Sequence, residues 1–449
     1  MRTGRTTKVL VILGLLGSAV LPRASALPPN LEAQVVDAEF TSHVRTFDTI
    51  DFGRNGGRGD DRRMKTKWRV VDATGNCCEN YLTTDHRGRL YDFGGKYVNY
   101  TDDRGLTWKS VQPLTPLYNG EGAIAMAPGG DVIGVEWDPY TGDHLLSFKY
   151  DAKEKTWLYT EMPLHAPFYD REWIAVIPGP FEVDGEKVPY MSFIKGAWPS
   201  KEAWFYSYDG LNYDEVGSKF VDQTVFGEIV SKLRTKRHGY MDWVQPNSNG
   251  GITPLGGGAA LASPDYPFGG DEWAHFSPQT RRWAAFSFGG EAPKGRYQVD
   301  SAGRLHNVVN NNKSFLYRVS EDWGKTWIEL EVALPPKHVI EEFDFRANLD
   351  AGVAAVAIHG HESKGNYDRD LMYKFDISGA KPRLLRLYEV GLGDINGSSG
   401  VGAAIRFDFE TVTIFPDGRV AMSFYDSTTT SPTDESRVIP ALAIEGRTR

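Results

Sequence analysis

The stretch Thr101-Asp102-Asp103-Arg104-Gly105-Leu106-Thr107-Trp108 has the pattern Ser/Thr-x-Asp-x-Gly-x-Thr-Trp, which returns at Ser320–Trp327. In such a stretch the aspartate accepts hydrogen bonds from turn amides, the glycine takes a positive φ, and the tryptophan packs between neighbouring sheets. The pattern therefore predicts a capped hairpin loop, which we call a box. Looser boxes, one residue out of register, occur at Asp151–Trp157, Ser207–Tyr213 and Ser277–Trp283.

A second pattern precedes the boxes: an apolar run turns at a glycine and continues apolar, as in Leu82–Tyr91 around Gly88. It recurs at Gly130, Gly185, Gly303, Gly352 and Gly418, with a poorer copy around residues 256–258. The turns follow at intervals of about fifty residues, the length of one four-stranded unit. Because one unit cannot bury both of its faces, the units must stack into a closed ring. The sequence predicts an all-β β-propeller with seven four-stranded blades, with six as the alternative.

The N-terminus predicts a secretory signal peptide over residues 1–26. Three basic residues precede the apolar stretch Val9–Leu21, and Ala24-Ser25-Ala26 supplies small residues for cleavage. The apolar stretch is shorter than the roughly 20 residues that span a bilayer. We therefore expect a secreted, extracellular protein with no membrane insertion, in which residues 27–449 form one propeller domain.

Two segments stand apart from the repeat. We expect a strand from Ala33–Ile50 to close the ring with the last blade, as propeller rings need a closing contact. Residues 222–245 lack the pattern, and we interpret them as an insertion over one face. The adjacent pair Cys77 and Cys78 could form a vicinal disulfide, pair between chains or stay as free thiols, and these alternatives remain open.

The formal net charge of −9 argues against nucleic acid or an anionic membrane as the main partner. His359 and His361 form a His-x-His pair, but the residues beside them are typical of a loop. Such a pair without further ligands is weak support for a metal, so we expect no metal site and no cofactor. We also expect a monomer.

The boxes at Asp103 and Asp322 resemble the Asp boxes of the sialidase superfamily, whose members fold as β-propellers. With the hairpins, the resemblance extends over residues 79–445. Sialidases bind the substrate carboxylate with an arginine triad and use a tyrosine nucleophile, its glutamate partner and an aspartate acid/base. The resemblance thus implies a glycoside hydrolase acting on an anionic sugar. The seven units and the lack of an Arg-Ile-Pro motif depart from the six-bladed sialidases, and seven-bladed propellers include polysaccharide lyases acting on uronate sugars.

The first strand of each propeller blade starts near the central channel, where ligands usually bind. The sequence has charged or polar residues at nearly every such start: Glu79, Asn80, Glu121, Asp170, Arg171, Glu172, Asn247, Asn249, Arg296, Tyr297, Asp344, Arg346, Arg406 and Asp408. The arginines could hold an anionic sugar while carboxylates act as acid and base. Alternatively, these charges pair with one another and make the channel rigid.

For a hydrolase, the candidate catalytic residues are Glu121, Glu172, Asp170 and the nucleophile Tyr297. Candidates for substrate binding are Arg171, Arg296, Arg346, Arg406, Glu79 and Asp408. For a lyase, His238 and Tyr240 in the insertion fit the base that removes a proton beside a uronate carboxylate, and the alternative is a solvated loop.

Three functions remain open from the sequence. The first is a sialidase-like glycoside hydrolase acting on an anionic glycan in the central channel. The second is a non-catalytic propeller that binds a glycan or a protein, and the third is a uronate-specific lyase. In each reading the expected main partner is carbohydrate or a protein, and the charged channel supplies the contact.

Overall fold

A computed structural model describes residues 40–41, 44–48, 67–72, 81–93, 98–111, 122–137, 144–151, 153, 156–164, 170–198, 201–215, 252–255, 259–262, 273–277, 282–286, 296–300, 302, 304–311, 313–322, 324–335, 338–362, 367–394, 411–426 and 439–446. The predicted signal peptide, the cysteine pair and the 222–245 insertion lie outside the described residues. Within these ranges no helix has the length and hydropathy needed to cross a membrane.

The first half of the chain forms fifteen strands in its described residues. They are β1 (Phe40–Thr41), β2 (Val44–Asp48), β3 (Lys67–Asp72), β4 (Tyr81–Thr84), β5 (Leu90–Phe93), β6 (Val98–Thr101), β7 (Thr107–Val111), β8 (Ala123–Met126), β9 (Val132–Trp137), β10 (His144–Asp151), β11 (Thr156–Pro163), β12 (Asp170–Val183), β13 (Glu186–Trp198), β14 (Lys201–Ser207) and β15 (Asp214–Glu215).

The second half adds a further fifteen in the ranges that the structure describes. They are β16 (Ile252–Leu255), β17 (Ala259–Ala262), β18 (Trp273–Ser277), β19 (Arg282–Phe286), β20 (Arg296–Val299), β21 (Leu305–Asn310), β22 (Ser314–Ser320), β23 (Ile328–Ala333), β24 (His338–Asn348), β25 (Val353–Glu362), β26 (Tyr367–Asp376), β27 (Arg383–Asp394), β28 (Val412–Ile414), β29 (Val420–Asp426) and β30 (Ile439–Glu445).

The described strands form seven antiparallel sheets, numbered here in chain order. Sheet I has the order β1-β7-β6-β5-β4, and sheet VII has the order β2-β3-β30-β29-β28. Sheets II to VI each contain four consecutive strands, β8–β11, β12–β15, β16–β19, β20–β23 and β24–β27. Sheets I to VI thus each contain a four-stranded meander, with β1 added to sheet I. Sheet VII combines the three C-terminal strands β28, β29 and β30 with β3 and β2 from the N-terminal part of the chain.

The sheets are arranged in a ring. The first strand of each meander, which we call the inner strand, contacts the inner strand of the next sheet: β4, β8, β12, β16, β20, β24 and β28 follow in turn. The last of them, β28, contacts the first, β4, so the ring of described strands is closed. An all-β chain whose sheets surround a common axis is a β-propeller. The predicted fold class is confirmed.

N-terminal strands complete the last sheet. The predicted closing strand is found as β2, and β3 lies between β2 and β30, with Trp68 opposite Glu445. The short strand β1 instead pairs with β7 in sheet I, with Phe40 opposite Trp108. The N-terminal segment therefore joins the first and last sheets. The contribution of β3 lies beyond the predicted stretch Ala33–Ile50.

The hairpin glycines have a left-handed backbone conformation. Gly88 has a φ of 84°, and the positive φ recurs at Gly130, Gly185, Gly352 and Gly418. A Cβ at Gly88 would meet no atom within 4 Å, so the backbone angle, and not space, is what requires glycine there. The predicted turn at Gly303 lies outside the described residues.

The boxes are the loops between the third and fourth strands of their sheets. In the first box Asp103 Oδ1 accepts the N–H of Thr107 at 2.8 Å, and Oδ2 accepts its hydroxyl at 2.6 Å. Asp322 accepts the same two groups from Thr326, at 2.8 and 2.7 Å. The looser box keeps the geometry, since Asp209 accepts the N–H of Asn212 at 2.8 Å. The predicted capping role of the aspartates is confirmed.

The hydrophobic core lies in the interfaces between neighbouring sheets. Between sheets I and II, the rings of Phe93 and Phe148 meet edge to face at 5.1 Å. Between sheets V and VI, Tyr317 meets Phe375 in the same manner at 4.8 Å. Interlocking aromatic rings of this kind hold each sheet against the next and fix the inner strands around the channel.

Candidate functional site

A cavity of about 230 Å³ lies among the inner strands of five sheets. It is lined by Tyr81, Leu82, Thr83, Thr84, Ile124, Ala125, Met126, Ile174, Val176, Arg346, Ala347, Asn348, Thr413 and Ile414. These residues belong to β4, β8, β12, β24 and β28, so the cavity is part of the central channel. Arg346 is the one charged residue among the described residues that line it.

The cavity residues follow the hairpin repeat. Thr84, Met126, Asn348 and Ile414 each lie four residues before a hairpin glycine and each end an inner strand. The repeat therefore places equivalent residues around the same end of the channel. The sequence prediction missed this ring, although the signal was present, because it counted back from each hairpin glycine to the expected strand start and passed over the residues at the strand end.

Arg346 lies at a different place from the one predicted. We expected it at a strand start, yet β24 begins at His338, and Arg346 is two residues before its end at Asn348. The prediction of its position was wrong because β24 has 11 residues, longer than the short strand assumed when counting back from Gly352. Arg346 nevertheless lines the cavity.

The side chains of Arg346 and Asp344 form hydrogen bonds with the backbone of the same residue of the next inner strand. The Nε of Arg346 donates to the carbonyl oxygen of Val412 at 3.1 Å, and the N–H of Val412 donates to Asp344 Oδ2 at 2.8 Å. Within the part of the chain that the structure describes, Val412 lies on an inner strand that pairs with β29 on one edge and has no sheet partner on the other. The two side chains take the place of that partner for buried backbone groups.

Other inner strands are joined in the same manner. The N–H of Ala347 donates to Gln298 Oε1 at 2.7 Å, which joins sheets V and VI. Between sheets VII and I, the N–H of Leu82 donates to Thr411 Oγ1 at 3.2 Å, and Thr84 Oγ1 donates to the carbonyl of Ile414 at 2.9 Å. Polar side chains at the channel thus connect neighbouring inner strands through backbone groups, which differs from the pairing of charges raised as an alternative from the sequence.

The cavity combines one cation with hydroxyl, amide and apolar groups. The guanidinium of Arg346 lies 5.9 Å from the ring centre of Tyr81, within the range of a cation–π contact. The hydroxyls of Thr84 and Thr413 are 3.4 Å apart. Arginine binds carboxylates and other anions, and hydroxyl and amide groups bind sugar hydroxyls. The arrangement suits a small polar ligand with a negative charge.

The other predicted site residues are described only in part or not at all. Asp170, Arg171 and Glu172 begin β12, and Arg296 and Tyr297 begin β20, as predicted for strand starts. Their side chains, and Glu79, Asn80, Glu121, His238, Tyr240, Asn247, Asn249, Arg406 and Asp408 as a whole, lie outside the described residues. Along β12, Glu172 is two residues before Ile174, which lines the cavity.

His359 and His361 were interpreted as part of a loop, and this was wrong. Both lie in β25, where they are paired with Glu342 and Val339 of β24. The strand continues through Gly360 because the long partner strand β24 supplies backbone partners as far as His338. Among the described residues, no three His, Cys, Asp or Glu side chains lie close enough together to hold a metal ion.

Buried charged networks also lie away from the channel. Glu445 accepts hydrogen bonds from Lys374 at 2.9 Å, Tyr388 at 2.9 Å and the N–H of Val420 at 3.1 Å, which joins sheets VI and VII. Sequence reasoning missed this group, because its members are far apart in the chain and have no motif in common. Its position between sheets indicates a structural role.

A second network lies at the hairpin of sheet V. His306 Nε2 is 2.8 Å from Asp300 Oδ2, and His306 Nδ1 is 2.8 Å from the Tyr317 hydroxyl. Arg304 donates to Asp300 at 2.7 Å and to the carbonyl of Ile377 in sheet VI at 2.7 Å. Burial lowers the pKa of His306 although Asp300 opposes this, and the imidazole is therefore neutral near pH 7.

No protein-family model matches the sequence, and neither does any curated protein. Among solved structures, virginiamycin B lyase from Staphylococcus aureus is similar at 11% identity with a TM-score of 0.43, over 85% of this chain and 99% of that one. The α-L-arabinofuranosidase Arb93A from Fusarium graminearum is similar at 11% identity with a TM-score of 0.38, over 77% and 98%. The Dos1 propeller gives 8% identity and a TM-score of 0.38, over 81% and 77%. At these TM-scores the similarities carry no argument about activity.

Proposed function

We propose that this protein is a secreted carbohydrate-binding propeller that holds an anionic glycan at the central cavity. The observation that carries the proposal is the position of Arg346, which lines the cavity beside Tyr81, Thr84 and Asn348. An arginine supplies the charge for a carboxylate, and the neighbouring hydroxyl and amide groups match sugar hydroxyls.

The size and walls of the cavity support a compact ligand. Its volume of about 230 Å³ is below the roughly 300–1,000 Å³ typical of sites for drug-sized ligands. Apolar side chains, including Ile124 and Ile174, form part of the wall. A sugar ring has apolar C–H faces as well as hydroxyls, so it suits a cavity with both kinds of surface.

A sialidase-like glycoside hydrolase is the second candidate. It is supported by Glu172, which lies two residues before the cavity-lining Ile174 on β12 and follows Asp170 and Arg171. Two residues along a strand span about 7 Å, so Glu172 lies about that far from Ile174 along β12. In this proposal Glu172 is the general acid.

The binding proposal is tested by calorimetry with galacturonate, glucuronate and sialic acid oligosaccharides, each compared with a neutral oligosaccharide. We expect an anionic probe to bind, and Arg346→Gln to weaken binding at least tenfold, about the 1.4 kcal/mol of one charge-assisted contact. The control is Arg383→Gln, an arginine of the same sheet whose side chain is 72% exposed. Lack of binding by every probe, or equal binding by Arg346→Gln, would refute the proposal.

The hydrolase proposal is tested by measuring reducing ends and unsaturated uronate absorbance on the same probes. Hydrolysis predicts new reducing ends without absorbance, lost in Glu172→Gln and retained in Glu182→Gln, an exposed glutamate of the same strand. Absorbance would instead indicate a lyase.

Secretion is tested by N-terminal sequencing of protein from the medium of a native culture, with a start near Leu27 expected.

A further inference from the structure

A cluster of tyrosines lies on the outer part of the groove between sheets I and II. Tyr91 and Tyr100 of sheet I have ring centres 5.9 Å apart, and Tyr150 and Trp157 of sheet II have ring centres 5.3 Å apart. Tyr100 and Tyr150 are only partly buried against the core. Both residues pack against this core and remain partly exposed to solvent.

Two cations accompany these tyrosines. The guanidinium of Arg89 lies 4.5 Å from the ring centre of Tyr100, and its Nε donates to Asp102 at 2.6 Å. Lys109 is exposed and lies opposite Tyr100 in the register of β6 and β7. Cationic and phenolic groups held in place by packing lose little conformational freedom when they bind a ligand.

The phenols of the two sheets lie near one another. Burial is the main cause that raises the pKa of Tyr100, and the neighbouring Tyr150 hydroxyl adds to it. Burial likewise raises the pKa of Tyr91 to about 12, with a further contribution from Tyr150. The hydroxyls of Tyr91 and Tyr100 are therefore protonated at neutral pH.

The cluster and the cavity lie at the same edge of sheet I. Thr84, which lines the cavity, is paired with Leu90, and Leu90 is paired with Thr101 on β6. Tyr100 is adjacent to Thr101, two strands outward from the cavity wall. Two strand spacings are about 10 Å. A glycan with one unit in the cavity can therefore reach the tyrosines over the hairpin of β4 and β5.

We propose that Tyr100, Tyr150 and Lys109 form an outer subsite for the anionic glycan whose end lies at Arg346. The subsite rests on the proposed binding function, since it would bind the units of the same glycan that extend out of the channel. Phenol rings pack on sugar faces while their hydroxyls bind sugar hydroxyls, and the ammonium of Lys109 binds a carboxylate. Specificity for a chain longer than one unit follows from this arrangement.

The experiment measures how affinity depends on chain length. Galacturonate oligomers and sialic acid oligomers of one to about six units are titrated into the wild type and into Tyr100→Ala/Tyr150→Ala. The wild type should bind the longer oligomers of one series about tenfold more tightly than its monomer, a gain of the size that aromatic contacts give. The double variant should keep the affinity for the monomer and lose the gain with length.

Controls separate folding and function. Tyr208→Ala changes a half-buried tyrosine within the looser box of sheet III and should retain the gain. If the double alanine variant does not fold, Tyr100→Phe/Tyr150→Phe keeps the rings, and it should lose part of the gain with the hydroxyls. Lys109→Gln should reduce the salt dependence of binding to the longer oligomers.

The outcomes distinguish this inference from the proposed function. Binding of the monomer with an equal gain in wild type and variants, or with no gain in the wild type, overturns the outer subsite and leaves the proposed function intact. Absence of binding by every oligomer overturns the proposed function and the subsite together.

Discussion

Arg346 on β24 donates a hydrogen bond to the backbone of Val412 on β28, across two inner strands that share no sheet. The contact joins residues 66 positions apart in the chain. It makes Arg346 a structural residue of the channel wall as well as the cation of the cavity. A binding site built on such a residue is held in place by the ring itself.

Asp344 should be needed for stability through its contact with the same valine. Its side chain is buried, and Asp344→Leu would leave the N–H of Val412 without its acceptor. We expect a loss of about 1–3 kcal/mol in the free energy of unfolding, measured by urea denaturation. Asp344→Asn keeps an acceptor oxygen at the same place and should lose less. Equal stability of the two variants would contradict this assignment.

The Asp300 and His306 network should make the protein less stable in acid. Interactions with His306 and Arg304 lower the pKa of Asp300 to about 2 against the opposing effect of burial, and burial lowers the pKa of His306. In both cases the unfolded chain binds more protons than the folded one as the pH falls. The contribution of His306 is fully present above its unfolded pKa of about 6.5 and is lost below it, and that of Asp300 is lost between about pH 4 and 2.

This pH dependence can be measured on His306→Gln. The variant should be less stable than the wild type at pH 7, because Asp300 and Tyr317 lose a buried partner. Its free energy of unfolding should change less between pH 7 and pH 5 than that of the wild type. A steeper decline in the variant over this interval would show that another group controls the acid response.

The side chains of Lys374 and Glu445 should have a large coupling energy in the free energy of unfolding. Their side chains are 12% and 6% exposed, so Glu445→Gln would leave a largely buried ammonium without its counter-charge. Breaking a buried pair from one side costs about 3–5 kcal/mol. Lys374→Met combined with Glu445→Gln should lose less than the sum of the single variants, as measured by a double-mutant cycle in urea. Additive losses would show that the pair contributes no coupling energy.

Gly134 should be required for packing between strands of sheet II. A Cβ at this position would clash with the ring of Phe148. Gly134→Ala should therefore lower the free energy of unfolding by about 1–3 kcal/mol, the usual cost of an overpacked core. In a Phe148→Leu background, Gly134→Ala should cause a smaller loss of stability, as measured by thermal unfolding. If Phe148→Leu gives no relief, the ring is not the cause.

The sequence predicted the turns better than the contacts between inner strands around the channel. Gly88 and Asp103 were predicted correctly, because each acts on a turn within a few residues of itself. The position of Arg346 along its strand was predicted wrongly, and Tyr81 and Thr84 were not considered for the cavity at all. Counting back from a hairpin fails where inner strands differ in length, from 3 residues in β28 to 14 in β12.

The sequence by itself determined the all-β repeat, its hairpins and the capping aspartates, because these depend on short-range backbone angles and turn hydrogen bonds. Only the tertiary structure decided which side chains meet at the channel. Those meetings depend on how neighbouring sheets pack, and packing joins residues that no local pattern relates, as with Arg346 and Val412. The turn residues in the sequence therefore determine the fold, and the candidate site forms where the inner strands of neighbouring sheets meet.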